Sequence, residues 1–274
     1  KIHKGVASFQ RLSKAVITTG TFDGVHLGHE KILNKVIKIG AETSSETVLI
    51  TFFPHPRIVL FPDHELKLIN TIDENIELFK NYNIDHLIIQ DFDKQFSRIT
   101  SLDYIRDILI KKIGLKNLVI GFNHHFGRNR EGSLENLTEY ADLYNFNIHK
   151  VGPCNLEDKS ISSTKIRSAV NCGDVVLANN YLGYVFTLSG LVVKGNGIGQ
   201  TLGFPTANIV IENKNKIIPK RGVSALDIEG NPFFNPEAID AFVDGLRSSV
   251  NIEIRVIETD LHINDPEFAE AMVF

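Results

Sequence analysis

Short apolar runs recur along the first two-thirds of the chain, and stretches with helical periodicity separate them. Residues 16–22 read as a buried strand that enters a turn at Asp23 and Gly24, and 28–39 then place apolar residues on one helical face. Further strands are predicted at 47–53, 86–90 and 118–121, with helices at 73–82 and 101–113 between them. Two short helices, 161–171 and 174–182, close the series. Strands alternating with helices predict an α/β, doubly wound parallel sheet that binds ligands at the carboxyl ends of its strands.

The pattern changes after Gly183. Residues 184–193 read as a strand, 194–203 as a glycine-rich turn, and 212–221 as a polar, basic loop. A helix at 236–246 and a strand at 252–257 follow. The expected organisation is one domain at 1–183 and a smaller, β-rich domain at 184–274, atypical from about residue 217. A length of 274 residues suits two domains of roughly 150 residues each.

Hydrophobic residues at 43% and charged residues at 23% supply a core without a signature of disorder. A net charge of −4 argues against nucleic-acid binding, which needs clustered Lys and Arg, yet leaves room for small anionic ligands. The two cysteines, Cys154 and Cys172, have no metal or disulfide spacing, so a reducing cytoplasm is expected. Neither a membrane helix nor a signal-peptide pattern is expected. Association with further copies of the chain is left open.

Two stretches carry candidate chemistry. In GTFDGVHLGH (20–29) a strand runs into a glycine-containing loop, and His26 and His29 flank a helix start. Unpaired N–H groups and the helix dipole attract phosphate there, and both histidines can donate to phosphoryl oxygens. The plainer reading is two surface histidines beside a turn. In ISSTKIR (161–167), Ser162, Ser163 and Thr164 offer hydroxyls at a second helix start, while Lys165 and Arg167 add positive charge. Alone, such a stretch is an N-cap; beside the first, it reads as a second phosphate clamp. Asp23 could brace the loop or bind metal. His124 and His125 lack a partner at ligand spacing.

Together with TFFPHPR (51–57) and GFNHHFGRNREG (121–132), these motifs resemble the bacterial bifunctional riboflavin kinase/FAD synthetase family, of the HxGH nucleotidylyltransferase superfamily. The resemblance covers residues 1 to about 216 and implies AMP transfer from ATP to FMN, with ATP taken as its Mg²⁺ complex. It implies catalytic roles for His26, His29 and Arg167, and ATP contacts from Gly20, Phe22, Gly28, Ser162, Ser163 and Thr164. Flavin-side contacts fall to Phe52, Pro54, His55, Pro56, Asn123, Phe126, Gly127 and Arg128; Asn123 stands where the family commonly has aspartate. GNGIGQTLGFPTANI (195–209) is similar to the riboflavin kinase signature, which implies a kinase-like nucleotide site at Gly203, Thr206 and Asn208, the last two holding Mg²⁺·ATP.

From about residue 217 the kinase pattern stops. Glu258 and His262 do not supply a convincing base for the riboflavin hydroxyl, and the segment instead resembles the C-terminal end of an uncharacterised family related to a plant virus-resistance protein. Impaired riboflavin kinase activity is therefore expected. Two alternatives to FMN adenylylation stay open: a nucleotidylyltransferase with another acceptor, and a flavin- or nucleotide-binding module without turnover.

Overall fold

The computed structural model describes residues 1–122, 127, 134–156, 159–194 and 207–219. Six parallel strands form its centre: β1 (Ile2–Lys4), β2 (Ala15–Thr19), β3 (Glu46–Phe53), β4 (His86–Asp91), β5 (Leu115–Gly121) and β6 (Asn147–Val151). Their order is β1-β4-β3-β2-β5-β6. The chain builds outward from β2 through β3 and β4, then crosses back to place β5 and β6 on the other side. The switch point therefore lies between β2 and β5, where such sheets leave a crevice above the strand ends.

Every residue of β2 is buried, as are five of the eight in β3, which accounts for near-continuous apolar runs in place of strict alternation. Successive residues feed opposite faces. Val16 and Leu49 pack beneath α1 (Leu27–Thr43) and α3 (Ile72–Lys80), together with Leu33, Val36 and Phe79. Ile17, Val48 and Ile50 face the other layer, which contributes Ile105, Leu109 and Leu137. That layer consists of one α-turn, α4 (Ser101–Asp103), continuing as a π-helix (Tyr104–Ile113), and of α5 (Leu134–Tyr144). The predicted helix at 101–113 is thus present, but mostly with the wider turn.

Helix starts follow side-chain chemistry. Thr71 and Glu74 form a reciprocal capping box on α3. His55 caps the short α2 (Pro56–Leu60), which has proline at its first position. A small antiparallel pair, β7 (Asn155–Leu156) and β8 (Lys159–Ser160), leads into α6 (Ser163–Asn171) and α7 (Val175–Leu182). Ile166, Tyr181 and Leu182 of these helices bury Ile69, Phe186 and Ile217 in a separate apolar cluster.

Two expectations are corrected here. The strand predicted at 184–193 is realised only as β9 (Leu191–Val193), paired with β10 (Asn208–Val210). Residues before it are drawn to the sheet domain instead: Tyr184 donates to the Gly24 carbonyl at 2.6 Å, and Phe186 is 9% exposed in the α6–α7 cluster. Likewise the polar stretch 212–221 is no solvated loop throughout, because Lys216 and Ile217 are 2% and 1% exposed. The predicted turn at 194–203, helix at 236–246 and strand at 252–257 lie outside the described residues, apart from Lys194. No helix among the described residues is long and apolar enough to cross a membrane.

The turn from the π-helix into β5 depends on Gly114. Its φ is +98°, and a Cβ there would collide with the Leu12 carbonyl oxygen. Gly114→Ala should destabilise the protein by about 1–3 kcal/mol from backbone conformation alone, with the steric conflict adding to that. Urea unfolding measures this; a midpoint equal to that of the parent chain would show that the turn is not rigidly set.

Candidate active site

One cleft of about 1140 Å³ opens above the carboxyl ends of the strands. Its floor includes Thr19 at the end of β2 and Gly20 after it, Phe52 at the end of β3, Phe92 after β4, Gly121 at the end of β5 and Gly152 after β6. The stretches 20–29 and 161–167 meet on one side of it.

Their junction is Asp23. Its Oδ1 accepts the N–H groups of Ile69 and Asn70 at 3.0 and 3.3 Å, and its Oδ2 accepts Arg167 Nη2 at 2.5 Å. Ser163 Oγ donates to the Asp23 carbonyl at 3.0 Å. Burial pushes this carboxyl's pKa up, while Arg167 and the two backbone donors oppose that. Asp23 therefore braces the loop. Arg167 Nε donates to the Lys67 carbonyl at 2.7 Å, whereas Nη1 makes no hydrogen bond among the described residues. That nitrogen is available to a ligand.

His26 caps α1. Its Nδ1 accepts from the N–H groups of Gly28 and His29 at 3.1 and 3.3 Å, so the proton of the neutral ring sits on Nε2. A Cβ on Gly28 would lie 3.0 Å from the His26 ring, so this second position after the cap is confined to glycine or to a shifted histidine. His29 stacks on His26 with centroids 3.7 Å apart and planes 13° from parallel. The edge of Phe22 meets it at 5.1 Å, and its buried Nδ1 has no partner among the described residues. Phe22 and Val25 hold φ of +47° and +34°, strained values for bulky residues that cluster where function over-determines the backbone.

The histidines are not surface residues. Burial lowers the pKa of His26 to about 4 and of His29 well below its usual value, so both are neutral near pH 7. His55 repeats the arrangement: its Nδ1 accepts from the Arg57 N–H at 3.1 Å, and burial brings its pKa to about 4. The histidines thus act as neutral donors, and the positive charge of the cleft comes from arginines in its lining.

At the second stretch, Ser162 caps α6 by accepting from the Lys165 N–H, and the Ser163 hydroxyl is taken by Asp23. What α6 turns toward the cleft is its N-terminus, with exposed Thr164 beside it. Lys165 is corrected, since its ammonium donates to the Ser160 carbonyl at 2.7 Å and does not line the cleft.

Of the flavin-side residues, Phe52, His55, Pro56 and Gly127 line the cleft. Pro54 does not; it follows the cis Phe53–Pro54 bond at the rim of β3. Asn123, Phe126, Arg128, Gly203 and Thr206 lie outside the described residues, as do His124, His125, Glu258 and His262. Asn208 is exposed on β10 and does not line this cleft.

Sequence reasoning missed an aromatic wall. Phe52, Phe92 and Phe96 sit with centroids 5.7–5.9 Å apart, and Phe96 meets Tyr104 edge-on at 6.1 Å. Tyr104 is buried and bonds Thr19 Oγ1 at 2.8 Å. Arg57 and Arg98 line the same cleft. Phe52 and Arg57 belong to the 51–57 motif, but Phe92, Phe96, Arg98 and Tyr104 come from the segment after β4 and the π-helix, where no local motif announced them.

A donor-rich strand-end cleft with two helix N-termini on one side and an aromatic wall on the other defines a nucleotide-handling α/β protein. The comparisons narrow the class. Residues 8–165 match the family model for FAD synthetase, and the chain belongs to that family. It is 36% identical over 91% of its length, and 79% of the relative's, to a bifunctional riboflavin kinase/FMN adenylyltransferase of Buchnera aphidicola. The Listeria monocytogenes protein of the same name is 34% identical over 79% of this chain and 68% of its own. A crystal structure of a macrolide-efflux protein from Streptococcus pneumoniae superposes with a TM-score of 0.73 at 31% identity, covering 81% of this chain and 72% of that one. Residues 203–274 separately match the C-terminal domain of an uncharacterised protein family, UPF0261.

The buried neutral histidines make stability depend on pH. With folded pKa values of about 4 for His26 and His55 and unfolded values near 6.5, the unfolded chain takes up protons first as pH falls. Stability is then fully present above about pH 6.5, declines toward pH 4 and stops declining from this cause below it. Each group contributes on the order of 3 kcal/mol at most. Urea midpoints across that range should fall for the parent chain and fall less steeply for His26→Asn; parallel curves would show that His26 does not titrate on unfolding.

Proposed function

We propose that the chain makes FAD by transferring AMP from ATP to FMN, with release of pyrophosphate. The observation that carries this is the joining of the 20–29 loop to α6 through Asp23 on one side of the cleft that the aromatic wall lines on the other. The first side suits a triphosphate and the second a flat flavin ring.

In this reading an FMN phosphate oxygen attacks the α-phosphorus of ATP in line, and the bond to the β-phosphate oxygen breaks. No covalent protein intermediate is needed; positioning and charge stabilisation supply the rate. His26 Nε2–H, Arg167 Nη1 and the N-terminal amides of α6 are assigned to the phosphoryl oxygens as charge builds there. A neutral imidazole that donates through Nε2 does this without a protonation step. Gly20, Phe22 and Gly28 shape the loop around the nucleotide, and Phe52, Pro56 and Gly127 border the flavin.

Mg²⁺ enters as part of the ATP complex. Asp23 is the one carboxylate among the described residues that line the cleft, and its oxygens already accept three donors. The residues present thus fit a metal carried on phosphate oxygens and not one caged by protein carboxylates. The two cysteines are free, which suits the cytoplasm. The kinase-like role of Thr206 and Asn208 is assigned no turnover, because the family pattern changes over 203–274.

Pyrophosphate release with ATP, Mg²⁺ and FMN tests the proposal directly; binding of both ligands without release would leave only a binding module. His26→Asn should keep the helix cap, since Asn accepts well at that position, yet lower kcat by about 10²–10³ through loss of the Nε2 donor. A folded variant with undiminished kcat would remove His26 from the chemistry. Riboflavin phosphorylation by the same preparation should run far below FMN adenylylation, and equal rates would restore the kinase.

A further inference from the structure

The strap that follows β10 ends in a lysine sealed from solvent. Lys216 has no side-chain exposure, and its ammonium donates to the Ile69 carbonyl at 2.7 Å and to Glu74 Oε2 at 2.6 Å. It also lies 4.8 Å above the Phe186 ring. Backbone bonds clamp the same strap, Leu68 N–H to the Asn215 carbonyl at 2.6 Å and Ile217 N–H to the Leu68 carbonyl at 2.8 Å. Burying an ammonium is costly unless its protons are matched, and breaking such a buried pair leaves an uncompensated charge.

The stretch it clamps is the one that holds the candidate active site. Ile69 offers its carbonyl to Lys216 and its N–H to Asp23, while the carbonyl of Lys67 receives Arg167 Nε. A second brace reaches the same place: the Tyr184 hydroxyl donates to the Gly24 carbonyl and accepts from Asn70 Nδ2 at 2.8 Å. Both braces come from chain beyond Gly183, and neither residue lines the cleft.

We propose that Lys216 is a positioning residue for adenylyl transfer, holding residues 67–70 so that the Asp23–Arg167 pair presents its free guanidinium edge to the nucleotide, with Tyr184 bracing the same loop. The proposal rests on the adenylyltransferase reading above. The segment after Gly183 is thereby part of the back wall of the transferase site. Misplacements of about 1 Å can cost up to 10²-fold in such reactions, so a brace outside the cleft can govern turnover.

Two full-length variants test it, Lys216→Met and Tyr184→Phe. With ATP, Mg²⁺ and FMN, Lys216→Met should lose about tenfold or more in kcat with KM for FMN within about twofold of the parent, and Tyr184→Phe should lose several-fold. Amide exchange in peptides covering 20–26 and 66–72 should quicken about tenfold in Lys216→Met while β2 stays protected. Parental kcat and parental exchange in a folded Lys216→Met overturn the proposal, as does a loss confined to KM. If Lys216→Met fails to fold, Tyr184→Phe decides on the same two readouts. A parent chain that releases no pyrophosphate refutes the transferase reading, and the exchange result then decides the brace alone.

Discussion

The site depends on one buried carboxylate. Asp23 is 3% exposed, and a charge so placed must collect donors or be neutralised. It collects them from residues 46, 47 and 144 positions away along the chain. The chemical need of a single side chain thus draws the loop after β2, the approach to α3 and the helix α6 to one point. Removing either partner of the Asp23–Arg167 pair would strand a charge in the interior, which costs more than the pair itself contributes. At the junction itself the pair cancels its own charge, so attraction there rests on directed N–H groups, whose value rises as water leaves the cleft, while Arg57 and Arg98 keep positive charge elsewhere in the lining.

The same economy appears in the histidines. For both 20–29 and 161–167, the capping reading and the ligand reading seemed to compete. The geometry removes that competition, because capping with Nδ1 places the proton of His26 on Nε2 and so makes it a donor. His55 does the same at α2. A helix cap, a tautomer and a hydrogen-bond donor are settled by one bond. At α6 the exchange runs the other way: Ser162 and Ser163 spend their hydroxyls on structure, and backbone amides remain for a ligand.

Most of the sheet was legible because β2 and β3 are buried on both faces and read as apolar runs, and because Gly24 and Gly114 punctuate strand and helix ends. The 20–29 loop was legible because its residues are contiguous. The aromatic wall was not, since Phe52 meets Phe96 and the neighbouring Tyr104 only after the crossover from β3 to β4 has formed. Nor was Lys216, which sits in a stretch whose polarity predicts solvent. Its burial follows from Glu74, a helix-capping residue 142 positions earlier, and no reading of either neighbourhood alone contains the other. The strand predicted at 184–193 failed for the same reason: Tyr184 and Phe186 find partners across the molecule that outweigh local β preference.

What joins these misses is that they all concern contacts to the carboxyl-end rim of the sheet. A parallel sheet delivers its strand ends to one rim with little sequence constraint on what stands above it. The rim is then finished by segments that arrive late in the chain, α6, Tyr184 and the strap at 213–217, and they attach by polar contacts to backbone groups of 23–24 and 67–70. Several of these attachments read main chain, and those that read side chains join Arg167 to Asp23 and Lys216 to Glu74 across more than 140 positions, so neither kind leaves a local signature. A strand-end site can therefore announce its chemistry in a short motif while concealing, in ordinary-looking residues far downstream, the framework that aims it.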